Sequence, residues 1–250
     1  ADVKDNVCFL DEQTIFYPAG ANSILYNVET KTQKFIPVSE RCEGITGLTI
    51  SANKRYVAIA ERAEKAQIAI YDLHSLRKRK TLFLPDCDAK EFVSLAFSTD
   101  AKYIVAHTCG PDWLLCYWTW EKAKLMASVK TATAPDSTVC QVLLNPSDNT
   151  QVSVVGNCVF KLSRYSEGQL KQFGSQKLEP KALAVGTEDG KLIVFEGGEV
   201  KMEISNNQGP QQTPKAIYAM MAFSKGLVAA GEGGSATVYE KGEAPGELFK

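Results

Sequence analysis

Six short apolar segments of one shape, recurring at near-constant spacing between polar turns, predict an all-β fold. The class they select is a WD40-type β-propeller with six visible blades, part of a seven-bladed propeller. The segments are residues 23–26, 68–71, 115–118, 160–163, 192–195 and 236–239. Their last residues, Tyr26, Tyr71, Trp118, Ser163, Phe195 and Tyr239, lie 45, 47, 45, 32 and 44 positions apart. Four of these steps sit near the roughly 40–45 residues of a four-stranded blade. Five of the six segments end in an aromatic residue, and three of those are followed by an acid: Asp72, Glu196 or Glu240.

The elements follow in chain order. The first unit spans about residues 5–40, around the segment that ends at Tyr26. The second, 44–85, has strands at 45–50, 56–60, 67–72 and 80–84, with the polar turn 51–55 after the first. The third, 91–131, repeats that grammar at 93–97, 103–107, 113–118 and 125–129, with its turn at 98–102. The fourth, 138–175, shows 140–144, the turn 145–149, then 151–155 and 159–162. Ile50, Phe97 and Leu144, the ends of three first strands, are each 47 apart. The turns are rich in Ser, Asn, Asp and Pro, whose side chains and fixed dihedrals favour tight reversals. Residues 121–127 have helical propensity but fall where a turn into a fourth strand is due, so they read as turn and strand.

The fifth unit, 178–205, is short. Residues 186–190 form the hairpin before its third strand and 182–185 the second, which leaves no room for a first strand between 176 and 181. A blade without its innermost strand exposes core, so the reading expects residues to be missing near Leu178 to Lys181. Residues 206–214 are polar and breaker-rich, hence a loop. The sixth unit spans 214–250, and residues 1–250 read as one propeller domain.

Composition narrows the function classes. The 250 residues are 44% hydrophobic and 23% charged, with a net charge of −1. A nucleic-acid binder would carry a basic excess to replace phosphate counterions, so no nucleic acid is expected as a partner. Apolar runs such as 113–118 are far short of the roughly 20 residues of a membrane-spanning helix, so no membrane is expected either. Residues 1–20 show no charged stretch followed by an apolar one, so no secretory signal is expected in them. Seven cysteines, Cys8, Cys42, Cys87, Cys109, Cys116, Cys140 and Cys158, form no C-x-x-C pair. That excludes zinc-ribbon and thioredoxin patterns and points to a reducing intracellular compartment.

The strings themselves carry a resemblance. Residues 3–20 (VKDNVCFLDEQTIFYPAG), 33–37 (QKFIP), 53–61 (NKRYVAIAE), 77–80 (RKRK), 148–157 (DNTQVSVVGN), 186–196 (GTEDGKLIVFE) and 224–226 (SKG) resemble the N-terminal region of the cilia- and flagella-associated protein 57 family. They run in order over nearly the whole chain. The resemblance implies two successive propellers followed by a long coiled coil, and the coiled coil is not expected within these 250 residues. It implies localisation to the axoneme of a cilium or flagellum. It also implies a non-catalytic scaffold that positions inner dynein arms and supports ciliary motility. Implied partners are inner-arm dynein, neighbouring regulatory complexes and the doublet microtubule surface, with dimerisation through a coiled coil outside this chain. No catalytic residues are defined for the family, so none carry over. The alternative is a generic cytoplasmic WD-repeat adaptor for protein complex assembly.

Individual residues offer little chemistry. The only histidines, His74 and His107, fall in a polar loop and at a strand end. Neither is set beside a base-activated serine, and they do not make three or four zinc ligands. Residues 186–191 resemble a phosphate loop but have three residues between the glycines, lead into a strand and put Leu192 where a Ser or Thr would hold magnesium. They read as a β-hairpin, as do residues 231–234. No catalytic, cofactor or metal site is expected. Two partner-binding candidates remain. Arg77, Lys78, Arg79 and Lys80 form the densest basic run. The run either contacts an acidic surface, such as tubulin or another axonemal subunit, or is a solvated loop leading into an outer strand. Trp113 follows the turn 109–112 at a blade rim, where exposed aromatics anchor interfaces.

Overall fold

Runs such as residues 56–62 and 67–72 are apolar on both alternating sets of positions, which a strand tolerates only if both faces are covered. The computed structural model shows what covers them. It describes residues 7–85, 87–131, 138–157, 159–172, 183–196, 199–205, 216–223, 225–232, 234, 236–242 and 248–249. The chain divides into two units, Ala1–Phe173 and Gly174–Lys250.

The first unit holds four antiparallel sheets of four strands, each in chain order. The first is β1 (Cys8–Phe9), β2 (Thr14–Ala19), β3 (Asn22–Asn27) and β4 (Gln33–Pro37). The second is β5 (Gly44–Ile50), β6 (Tyr56–Arg62), β7 (Gln67–Asp72) and β8 (Arg77–Phe83). The third is β9 (Phe92–Phe97), β10 (Tyr103–Thr108), β11 (Leu114–Thr119) and β12 (Lys124–Lys130). The fourth is β13 (Thr138–Asn145), β14 (Asp148–Asn157), β15 (Val159–Ser166) and β16 (Gln169–Gln172).

Each core lies between two sheets. In β6, Val57 and Ile59 join a cluster with Phe16, Leu25 and Ile36 of the first sheet. Their neighbours Ala58 and Ala60 join the opposite cluster, with Phe92, Ile104 and Trp118 of the third sheet. In β11, Cys116 and Trp118 face the second sheet, while Leu115 and Tyr117 pack with Val142, Val152 and Val154 of the fourth. The terminal aromatics of the repeat, Tyr71 and Trp118, therefore both face the preceding sheet. First strands are also tied to each other by polar bonds. The Thr46 hydroxyl donates to Phe92 O at 2.8 Å, and the Val142 N–H donates to Ser94 Oγ at 3.0 Å.

The turn grammar repeats at atomic detail. After β5, the Ser51 hydroxyl donates to Asn53 Oδ1 (2.7 Å) and accepts the Tyr56 N–H (2.9 Å). After β9, 47 residues on, the Ser98 hydroxyl donates to Asp100 Oδ1 (2.6 Å) and accepts the Tyr103 N–H (2.9 Å). Lys54 and Ala101 close these turns, both with φ of 57°. Residues 120–122 form one 3₁₀ turn, closed by left-handed Ala123, before β12.

The second unit holds a sheet of β17 (Leu183–Gly186), β18 (Lys191–Glu196) and β19 (Glu199–Ser205). It also holds one of β20 (Ile217–Phe223), β21 (Gly226–Gly231), β22 (Ala236–Lys241) and β23 (Leu248–Phe249). Leu192, Val194, Ile217, Leu227, Ala229 and Tyr239 make its core, so Tyr239 again faces the preceding sheet. Residues 187–190 form the turn between β17 and β18, with Gly190 at φ 76°. The expected gap near Leu178 to Lys181 and the loop at 206–214 lie outside the described residues. Among the described residues there are six sheets, no seventh, and no helix long and apolar enough to cross a membrane.

Candidate partner-binding surface

The basic run is not the loop that its composition suggested: Arg77, Lys78, Arg79 and Lys80 all lie within β8, the outer strand of the second sheet. Charged side chains blunt such an exposed edge. Register gives the four residues different environments. Arg77 pairs with Asp72, Lys78 with Tyr71 and Lys80 with Ile70, so a bulge leaves Arg79 as the extra residue. Arg77 and Lys80 are exposed. The Lys78 ammonium donates to Ser39 Oγ at 2.5 Å and stands 5.6 Å from the Tyr71 ring centre.

Arg79 is drawn to Asp72, the last residue of β7. Its guanidinium donates to Asp72 Oδ2 at 2.9 Å, and Arg55 reaches the same oxygen at 3.6 Å. The other oxygen, Oδ1, accepts the N–H groups of His74 (3.1 Å) and Ser75 (2.9 Å) and the Ser75 hydroxyl (3.2 Å). The Asp72 side chain is 4% exposed, against 58% for Arg55 and 48% for Arg79. The Ser75 N–H foremost, then Arg79, hold the Asp72 carboxyl well below the usual carboxylate range. Asp72 in turn raises the Arg79 guanidinium above its ordinary value. These residues border a cleft of about 730 Å³ between the first and second sheets, which Lys34, Lys54 and Asp11 also line. Sequence reasoning flagged Asp72 only as an acid after a strand-end aromatic, and it missed Arg55, Lys34 and Lys54. No contiguous pattern links positions that meet across two sheets.

Trp113 is half-buried, not a freely exposed anchor, and lies apart from the residues of this cleft. It packs against the third-to-fourth-sheet core, with its ring 6.1 Å from that of His107. His107 itself is fully buried, Nδ1 2.8 Å from Thr108 O and Nε2 2.6 Å from Thr131 Oγ1. Burial pushes its pKa down to about 4. It links β10 to residue 131 through the Thr131 hydroxyl. A second buried polar knot joins Glu61 to Gln67 Nε2 (2.6 Å), Ser39 N (2.9 Å) and Cys42 Sγ (3.5 Å). Among the described residues, no group of three or more His, Cys, Asp or Glu is placed to hold a metal ion.

Comparison with known proteins places this architecture. No family model matches the chain. Among solved structures, the RRP9 WD40 repeats superpose with a TM-score of 0.71 at 14% identity, over 96% of this chain and 76% of that one. The Cps50 (Swd1) β-propeller domain of Myceliophteria thermophila gives 0.64 at 13% identity, over 84% and 71%. Both show the fold alone, a WD40 β-propeller. Among curated proteins, Cilia- and flagella-associated protein 57 of Mus musculus is 35% identical over 96% of this chain. Cilia- and flagella-associated protein 57 C of Tetrahymena thermophila is 28% identical over 84%, and Cilia- and flagella-associated protein 44 of Mus musculus 24% identical over 95%. The chain spans only 24%, 17% and 14% of the lengths of these relatives. The mouse protein 57 alignment runs over 295 residues against the 250 of this chain, so that relative carries insertions within the matched region. With blade grammar, propeller neighbours and similarity along nearly its full length in agreement, the chain belongs to the cilia- and flagella-associated protein 57 family, as a WD-repeat propeller protein of the cilium or flagellum.

Proposed function

We propose that this chain is a non-catalytic scaffold module of the ciliary axoneme that helps assemble or position inner dynein arms and so supports motility. Residues 1–250 act as one propeller domain in this reading. Its partners are inner-arm dynein, neighbouring regulatory complexes and the doublet microtubule surface, and the full protein dimerises through a coiled coil outside this chain. The observation that carries the proposal is the 35% identity to the mouse relative along 96% of the chain. Rigid sheets with side chains presented at their turns and outer strands suit docking more than turnover. Arg77, Lys78, Arg79, Lys80 and Trp113 are the proposed contact residues, and all four basic ones are exposed on β8.

The test is genetic replacement in a ciliated cell. Deleting the full-length gene should remove inner-arm density in axoneme tomograms and slow beating. The full protein should restore both, and a version lacking residues 1–250 should not. Intact inner arms and normal beating after deletion would refute the proposal.

A further inference from the structure

The cleft between the first and second sheets carries charge that the fold does not use. Asn27 and Asp72 occupy the same position of two successive repeats, 45 residues apart. Asn27 Oδ1 accepts the N–H groups of Glu29 (3.1 Å) and Thr30 (2.8 Å) and the Thr30 hydroxyl (2.9 Å). Asp72 Oδ1 accepts the same three donors of its own turn, from His74 and Ser75. Both turns close on a left-handed residue, Lys31 and Leu76, each at φ 55°. One acceptor oxygen is thus enough to build this turn, and a neutral amide supplies it in the first sheet. The ionised oxygen of Asp72 does something further: it holds the Arg79 and Arg55 guanidinium groups together at the mouth of the cleft.

One carboxylate shared by two guanidinium groups leaves a positive charge over. Lys34 and Lys54 add two more along the lining, Lys54 while also donating to Phe9 O at 2.9 Å, and Asp11 is the remaining acid there. Four cations therefore face two carboxylates in a chain whose total charge is −1. The Asp72 carboxylate already accepts four hydrogen bonds and is ion-paired to Arg55. Arg55 and Arg79 keep about half of their surface open to solvent, and Lys34 is exposed. Half-buried Leu10 borders the cleft beside the cations, and the core residues Leu25 and Leu73 line it with the small part of their surface left open.

We infer that this cleft binds an acidic peptide segment. Its carboxylates pair with Arg55, Arg79 and Lys34, and its aliphatic carbons lie against the leucines. Planar guanidinium forks match carboxylates, and a cleft of about 730 Å³ takes a few residues of extended chain, not a nucleic-acid duplex. The inference goes beyond the scaffold reading, because peptide binding in vitro stands or falls whether or not dynein arms need this protein.

The experiment uses a fluorescein-labelled deca-glutamate peptide and anisotropy at 50 mM salt. Saturable binding is expected, weakened at least about tenfold by the double variant Arg55→Glu, Lys34→Glu. Raising salt to 300 mM should weaken it as well, since these charges are solvent-accessible. Lys124→Glu, an exposed reversal on the third sheet, should leave affinity unchanged. Where charge reversal lowers the yield of folded protein, Arg55→Gln with Lys34→Gln replaces it, with a loss of about threefold expected. Absence of saturable binding, equal weakening by Lys124→Glu, or full displacement of the peptide by a few millimolar inorganic phosphate would each overturn the inference.

Discussion

Acidification below pH 6.5 should loosen the third sheet, because His107 is buried neutral. Its Nδ1 lies 2.8 Å from the Thr108 carbonyl, which can only accept, so Nδ1 carries the proton. Nε2 then accepts the Thr131 hydroxyl at 2.6 Å. Thr131 Oγ1 also lies 3.2 Å from Trp113 O, so on protonation the hydroxyl can turn to that carbonyl. Hydrogen bonds are therefore conserved, and the cost of the charged form is desolvation. Burial lowers the pKa from 6.5 to about 4. Between those values the unfolded chain binds the proton and the folded one does not. The stabilisation is complete above pH 6.5 and is lost as pH falls to 4, amounting to about 3 kcal/mol. All three tryptophans, Trp113, Trp118 and Trp120, lie in or beside the third sheet, so intrinsic fluorescence reads its unfolding directly. Urea melts at pH 7, 6, 5 and 4.5 should show the midpoint falling with pH. The His107→Gln variant should be less stable at pH 7 but nearly flat over the same range. A wild-type midpoint independent of pH, or a variant with an undiminished slope, would refute the reasoning.

Three further outcomes follow from the geometry. Gly156→Ala should prevent stable folding or cost several degrees of melting temperature, since a Cβ there would meet the Thr138 carbonyl oxygen at 1.9 Å. Gly47→Ala meets only the movable Leu95 Cδ2 at 2.8 Å and should cost less; paired thermal melts decide. Asp72→Asn should keep the β7–β8 turn, because one acceptor oxygen serves it, while Asp72→Ala lowers the melting temperature by about 5 °C or more. The lowered Asp72 pKa adds stability above the unfolded carboxyl value of 3.8 that disappears only as pH falls below it, so the Asp72→Asn difference should vanish in strong acid. Burial and the neighbouring Glu61 carboxylate push the Cys42 thiol up to about 11, so iodoacetamide at pH 8 should modify it slowly, and Glu61→Gln should speed that modification.

Much of the fold was legible because a propeller repeats its physics. The 47-residue spacing of Ile50, Phe97 and Leu144 reappears in the turns, where Ser51 and Ser98 make the same two bonds. Three of the five strand-end aromatics, Tyr71, Trp118 and Tyr239, are buried in the core, while Tyr26 and Phe195 are half-buried. The surface was harder to read. Charge density at residues 77–80 suggested a loop, yet the four form an exposed strand in which one bulge lets Arg79 turn back to Asp72. The turn before Trp113 marked a blade rim, but nothing linear showed that its ring is half-buried beside His107. The cleft itself could not be read linearly: Lys34 and Arg55 belong to different sheets, and only the stacking of those sheets makes them neighbours.

Strands β6, β7, β10 and β11 each divide their side chains between two cores, as Val57 and Ala58 do. Within the first unit the second and third sheets therefore own no interior of their own. Opening either one breaks two interiors at once, which couples neighbouring repeats into a single cooperative melting block and disfavours removal of a middle repeat. Change in length is accommodated instead in the connections, where no interior is shared. That is the mode of divergence available to relatives whose matched region outruns these 250 residues.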